Sequence, residues 1–230
     1  IVFNSVLSSF GNLIATESKD RQYELFKVYR FAASWIYGFA AVGFAILLTP
    51  FITLWVGAER TLAFSVIGCI LIDFYFKGER IVLSNFKTAA GVFEQDKYLA
   101  LIQGVVNLVI SIVLVVRIGL VGVYIGTIVS GLIANVTKPI IIYHVILDRK
   151  AGEYFRDSMK YCLLLVIQYG IFYGISGIIM KEITILTFLV MFVIICVVFN
   201  GIFLMVFRKA GEFQYLVTIV RRKIDERKVR

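Results

Sequence analysis

Residues Phe31–Ala58 read FAASWIYGFAAVGFAILLTPFITLWVGA, twenty-eight residues without a charged side chain. About 20 apolar helical residues cover the hydrocarbon core of a bilayer. Four further uncharged stretches follow: Tyr98–Val116, Ile118–Thr137, Tyr161–Met180 and Ile183–Phe207. The chain is 60% hydrophobic and 17% charged over 230 residues, whereas soluble domains carry about 25% charge. An all-α polytopic membrane protein follows, with almost no chain left over for a soluble domain.

The charge distribution sets the number of crossings. Seven are read, at roughly 1–16, 29–56, 61–86, 98–116, 119–142, 159–180 and 183–207. Alternate connections then fall on opposite sides of the membrane. All of the 24 basic residues except Arg60, Arg117 and Lys181 collect on one side, which the positive-inside rule places in the cytoplasm together with the C-terminus. Miscounting by one crossing would destroy this asymmetry. The net charge of +9 is thereby accounted for without nucleic acid, and basic patches interleaved with base-stacking aromatics are absent as a pattern. Ile1 opens inside an apolar run with no starting Met, so a preceding segment, with membrane crossings of its own, is expected.

Few residues invite catalysis. His144 is the only histidine, and Cys69, Cys162 and Cys196 stand singly within apolar runs. They read as a solvated interfacial side chain and as small packing residues. Neither a metal cluster nor a Ser/His pair is legible, nor is a glycine-rich phosphate loop. No enzyme activity and no cofactor are expected. Transport would draw on an ion gradient or on the substrate's own.

Polar residues inside the apolar segments carry the functional signal, because a charge in the bilayer is costly unless it faces protein or water. Asp73, Lys77, Arg80, Ser84 and Lys87 follow a 4, 3, 4, 3 spacing, one stripe on one helix face. Asp73 precedes Lys77 by one turn and neutralises part of it. The remainder is cationic and suits a phosphate or diphosphate in a wet cavity. The alternative is that Lys77, Glu79 and Arg80 lie at the interface and snorkel.

Weaker polar alignments occur at Asn4 and Ser8, at Ser5, Ser9, Asn12 and Thr16, and at Arg30, Ser34 and Tyr37. Others are Gln103, Asn107 and Ser111, and Tyr124, Thr127, Gly131, Asn135 and Lys138. They read either as cavity walls or as hydrogen-bonding glue between helices. Gly122, Gly126 and Ser130 form a small-xxx-small pattern for close helix approach. In the tail, Phe213, Leu216, Val217, Val220 and Ile224 recur at helical spacing. Such a helix can lie in the headgroup layer with its basic residues toward anionic membrane lipid.

A family resemblance rests on an ordered set of segments. They are Ser8-Ser9-Phe10-Gly11-Asn12-Leu13-Ile14-Ala15-Thr16-Glu17-Ser18, Trp35-Ile36 and Pro50-Phe51-Ile52-Thr53-Leu54-Trp55-Val56-Gly57. Thr88-Ala89-Ala90-Gly91-Val92-Phe93-Glu94-Gln95-Asp96-Lys97-Tyr98, Asn107-Leu108, Ser111-Ile112, Gly119-Leu120-Val121-Gly122-Val123-Tyr124-Ile125-Gly126-Thr127 and Lys138-Pro139 follow. In their order and placement these resemble the C-terminal half of bacterial polysaccharide exporters. Those are the O-antigen and capsule repeat-unit flippases of the multidrug/oligosaccharidyl-lipid/polysaccharide superfamily.

The resemblance implies that residues 1–143 are helices of the second lobe of a two-lobe transporter. Residues 144–207 would add two transmembrane helices, and 208–230 a basic amphipathic cytoplasmic tail. The whole protein would have about fourteen spans around a central cavity. It would flip an undecaprenyl-diphosphate-linked oligosaccharide across the bacterial cytoplasmic membrane for surface polysaccharide biosynthesis, with a polysaccharide polymerase as a possible partner. Substrate contact would fall to Lys77 and Arg80, with Asp73 beside them and Arg30 a weaker candidate.

Three other readings stay open: a multidrug or toxin extrusion antiporter of the same superfamily, a membrane enzyme of polysaccharide assembly, and a scaffold in an assembly complex. The cationic stripe disfavours cationic drugs, and the few-residue outer loops disfavour a polymerase.

Overall fold

The computed structural model describes residues 7–228, and among them every regular element is helical. The helices are α1 (Leu7–Thr16), α2 (Lys19–Val56), α3 (Phe64–Ala89), α4 (Leu99–Ile118), α5 (Leu120–Ile141), α6 (Gly152–Ile179), α7 (Ile185–Ile194), α8 (Asn200–Phe207) and α9 (Gly211–Lys228). A π-helical turn, Ile142–Ile146, extends α5, and another, Ile195–Phe199, joins α7 to α8 in one rod. Asn4 and Ser5 lie outside the described residues, as do the side chains of Ser8, Ser9, Val220 and Ile224.

Among the described residues, five helical segments are long and apolar enough to cross a membrane: Lys19–Val56, Glu94–Ile118, Leu120–Ile146, Gly152–Ile179 and Ile185–Phe207. They coincide with the five uncharged stretches. α3 is long enough at 26 residues but carries Asp73, Lys77, Glu79 and Arg80 near its middle. α1 has 10 residues.

The main departure from the expected boundaries is α2. It begins at Lys19 rather than near 29 and runs 38 residues, about 57 Å of helix, nearly twice the hydrocarbon thickness. Ser18 caps it by accepting the Arg21 amide, which satisfies one of the orphan donors of the first turn. The charges of 19–30 interrupt the uncharged run but not the helix.

α2 is the axis around which the rest assembles. At its basic end, Tyr23 and Phe26 join Phe10 of α1, Leu83 and Phe86 of α3, Tyr143 and Tyr154 in one buried cluster. Further along, Phe31, Val42 and Ile46 meet Tyr161 and Phe172 of α6 and Met191, Phe199 and Phe203 of the α7–α8 rod. Lipid is as apolar as these side chains, so contact here is gained from close packing rather than from leaving water. Stacked rings supply it: Trp35 lies 4.9 Å from Phe203, nearly parallel. Trp35 Nε1 also donates to Asn200 Oδ1 at 2.9 Å, just beyond the π-helical turn that offsets the rod's register.

α4 and α5 form a hairpin that turns on Gly119 alone. Its φ of +64° is a backbone conformation that favours glycine. The three uncharged polar residues of α4 reach α5: Gln103 Nε2 donates to the Ser130 carbonyl at 3.0 Å, Asn107 Nδ2 to Thr127 Oγ1 at 3.2 Å, and Ser111 Oγ to the Val123 carbonyl at 3.3 Å. Leu101, Val105, Leu108, Ile112 and Val116 on the outer side stay exposed. A polar inside and an apolar outside is the amphipathicity a bilayer imposes.

Gly122 and Gly126 let the two backbones touch. A Cβ at Gly122 would collide with the Leu114 backbone, and one at Gly126 with Ser111. Gly126→Val is therefore expected to lower the melting temperature measurably, at a cost of about 1–3 kcal/mol. Gly104→Val, where a Cβ meets nothing within 4 Å, should melt close to the parent. Equal melting of the two variants in detergent would refute the close packing.

The tail is a helix, as its periodicity predicts, but part of its apolar face is already occupied. Phe213 and Leu216 pack on the α2, α6 and α8 cluster. Lys27 pairs with Glu212 at 3.5 Å, and Arg21 donates to the Tyr215 hydroxyl at 3.3 Å. These two apolar side chains have protein, not headgroups, beneath them.

Candidate functional site

α3 carries charge on two faces, and each face meets a different environment. The face with Lys77, Arg80 and Ser84 borders a cavity of about 420 Å³. α2 contributes Tyr37 to its wall, α4 Gln103, and α5 Ala134 and Lys138. Gly78 admits the Tyr37 ring so closely that a Cβ would overlap it, and this seats α3 against α2 beside the cavity.

Asp73 sits one turn before Lys77 and holds two cations, Lys77 Nζ at 2.7 Å and Arg80 at 3.8 Å. Arg80 donates to the Gly131 carbonyl of α5 at 3.0 Å. A Cβ at residue 131 would come within 2.9 Å of the guanidinium, so glycine there makes room for the arginine. Lys138 donates to Ser84 Oγ at 2.8 Å, and among the described residues no carboxylate forms an ion pair with it. Three cations thus border the cavity against one carboxylate, Asp73. Lys77 remains 60% exposed, open to whatever fills the space. Lys138 is oriented by a neutral oxygen, and Arg80 by the Gly131 carbonyl with Asp73 shared between it and Lys77, which leaves cationic charge available to an anion.

The opposite face of α3 presents Glu79, which is buried. Ser34 Oγ of α2 donates to Glu79 Oε1, and Ser158 Oγ of α6 to Oε2 at 3.5 Å. Arg30 Nε lies 3.7 Å from Oε2. Arg30 itself is held more firmly by α6, donating to the Tyr154 carbonyl at 2.7 Å and to Ser158 Oγ at 2.6 Å. Its guanidinium also rests 3.8 Å from the centre of the Tyr154 ring.

The four residues singled out from the sequence are therefore divided. Lys77 and Arg80 line the cavity and Asp73 pairs with both from beside it, whereas Arg30 is interior, paired with Glu79, and does not line it. Lys87, at the end of the stripe, turns away to Asp96 at 2.6 Å in the next loop. Lys138 was legible as one member of the α5 polar alignment and in the Lys138-Pro139 segment, and neither placed it at the cavity. What marks it is its place one turn from the end of α5, opposite Ser84. From the sequence alone Glu79 reads only as an interfacial charge beside Lys77 and Arg80; the signal that sets it apart is that its helix-face neighbours Tyr75, Phe76, Val82 and Leu83 carry no cation.

A second hollow, of about 550 Å³, lies between α2, α3 and α6 and is apolar, lined by residues such as Ala45, Leu71 and Leu165. Among the described residues no group of His, Cys, Asp and Glu side chains is arranged to hold a metal ion. The three cysteines are unpaired, and His144 is exposed. No protein family, curated protein or solved structure matches the chain.

Proposed function

We propose that this chain forms the cavity-bearing half of a membrane transporter for a lipid-linked anionic oligosaccharide, a flippase of polysaccharide repeat units. In this reading α1 and α3 are crossings too, giving seven, and the helices form the second lobe of a two-lobe protein in the bacterial cytoplasmic membrane. The observation that carries it is the cavity flanked by Lys77, Arg80 and Lys138. A surplus of cations among apolar helices is costly unless an anion or water compensates it. A diphosphate supplies two or more negative charges, and its sugars find donors and acceptors in Gln103, Ser84 and Tyr37. The lipid tail stays in the bilayer while the polar head crosses, as helices rock about the site. A cationic drug would meet repulsion from the same three side chains.

Cells deprived of their own repeat-unit flippase, and expressing the full-length protein with a matching repeat unit, should regain surface polysaccharide. Lys77→Glu should lower that display by about 10-fold or more at equal protein abundance, since it reverses the most open charge of the cavity. Undiminished display by Lys77→Glu would remove the cavity from the transport path.

A further inference from the structure

We infer that Glu79 is a proton-binding site, and that a proton there loosens α3 from α2 and α6. The inference goes beyond the transport reading: it concerns a site on the other face of α3 and a ligand other than the cargo.

The geometry is that of a buried ion pair whose members are each held by other groups, Arg30 by α6 and Glu79 by the hydroxyls of Ser34 and Ser158, and only loosely by each other. Arg30 keeps two short hydrogen bonds and a ring contact with α6, none of which involves Glu79. Glu79 is tied to Arg30 only at 3.7 Å, longer than a hydrogen bond, and Arg30 Nε has no hydrogen-bond acceptor. A buried pair of this kind adds little net stability because both charges have lost their hydration.

A guanidinium does not give up its proton, so the pair can change charge only at Glu79. The proton comes from water and adds to a carboxylate oxygen. Arg30 retains its charge and its bonds to Tyr154 and Ser158. What is lost is the ionic part of the attraction between α3 and the other two helices, which leaves only the hydroxyls of Ser34 and Ser158 to join Glu79 to them. Ser158 is half-buried, and its hydroxyl donates to Glu79 at 3.5 Å, so the carboxylate is not sealed behind apolar side chains alone.

The ionisable groups around Glu79 are few. Arg30 comes from α2. Tyr154, Tyr161 and Cys162 come from α6, and Tyr75 from one turn earlier on α3. Tyr143, in the π-helical turn after α5, faces Arg30. Glu79 is the only carboxylate among them. Arg80 is the next residue on the same helix, so any shift of α3 also moves Lys77 and Arg80 relative to Lys138 of α5. Proton occupancy and cavity shape are thereby linked through one element.

Two measurements on the full-length protein, reconstituted in bilayers, test this. Infrared difference spectra between acid and neutral buffer should show a protonated carboxyl band that Glu79→Gln abolishes. Glu79→Gln leaves Arg30 uncompensated and can fold poorly. The double variant Glu79→Gln with Arg30→Gln removes both charges and should lack the same band.

Spin labels at the exposed positions Phe64 and Ile178, in a cysteine-free background, report the separation of α3 and α6. Their distance distribution should broaden or shift on acidification in the parent and be insensitive to pH in the double variant. Absence of any band that depends on Glu79 overturns the proton site. A band without a change in distance overturns the loosening. Neither measurement involves cargo, so failure here leaves the transport reading untouched.

Discussion

Arg30→Ala is expected to destabilise the helical bundle by about 3–5 kcal/mol, the cost of leaving a buried partner charge uncompensated. Three helices meet at this side chain. It belongs to α2, its short hydrogen bonds go to Tyr154 and Ser158 of α6, and its charge faces Glu79 of α3. Truncation leaves the Tyr154 carbonyl without this donor and Glu79 without a cation. Adding Glu79→Gln should recover a large share of the loss, since the double variant buries no charge at this point. The check is a double-mutant cycle on thermal or denaturant unfolding in detergent. If Arg30→Ala were neutral, Arg30 would not be an interior brace and would return to the cavity as a candidate for substrate contact.

Arg80→Gln should weaken binding of a diphosphate lipid by about 2–4 kcal/mol, roughly 30- to 1000-fold. Glutamine keeps a donor for the Gly131 carbonyl, so the register of α3 on α5 survives while the charge is lost. Arg80 is 13% exposed at its side chain, and a charge so far removed from water acts more strongly on an anion than a surface charge does. Titration of the purified protein with a polyprenyl diphosphate, against an uncharged polyprenol, measures the effect. Equal affinity for the two lipids in the parent protein would mean that the cations do not serve an anion.

The apolar helices were legible from composition, because a bilayer tolerates few charges within about 20 residues. α2 shows where that reading stops. Its first turns carry Lys19, Asp20, Arg21 and Glu24, so a search for uncharged runs ends too late, while the cap at Ser18 marks the true start. The stripe through Asp73, Lys77 and Arg80 was legible because helix periodicity alone brings those side chains onto one face.

Partners on other helices were not legible in this way. Glu79 finds Arg30, and Lys138 finds Ser84, across distances in sequence that no local spacing encodes. The polar alignment of α4 illustrates the same limit. Gln103, Asn107 and Ser111 read as cavity wall or, more commonly for such residues, as glue, and packing against α5 assigns all three to the hairpin, with Gln103 bordering the cavity as well. In the tail, periodicity identified a helix, but only the contacts of Phe213 and Leu216 show that protein occupies part of its apolar side.

The most direct test of the transport account is the leaflet in which a lipid-linked repeat unit resides. The full-length protein is expressed in cells lacking their own flippase, and the outward-facing fraction of labelled lipid-linked oligosaccharide is measured. The account predicts movement to the outer leaflet with the parent protein and retention in the inner leaflet with Lys77→Glu at the same abundance. Retention in the inner leaflet with abundant parent protein and a matching sugar, or outward movement unaffected by Lys77→Glu, would contradict it.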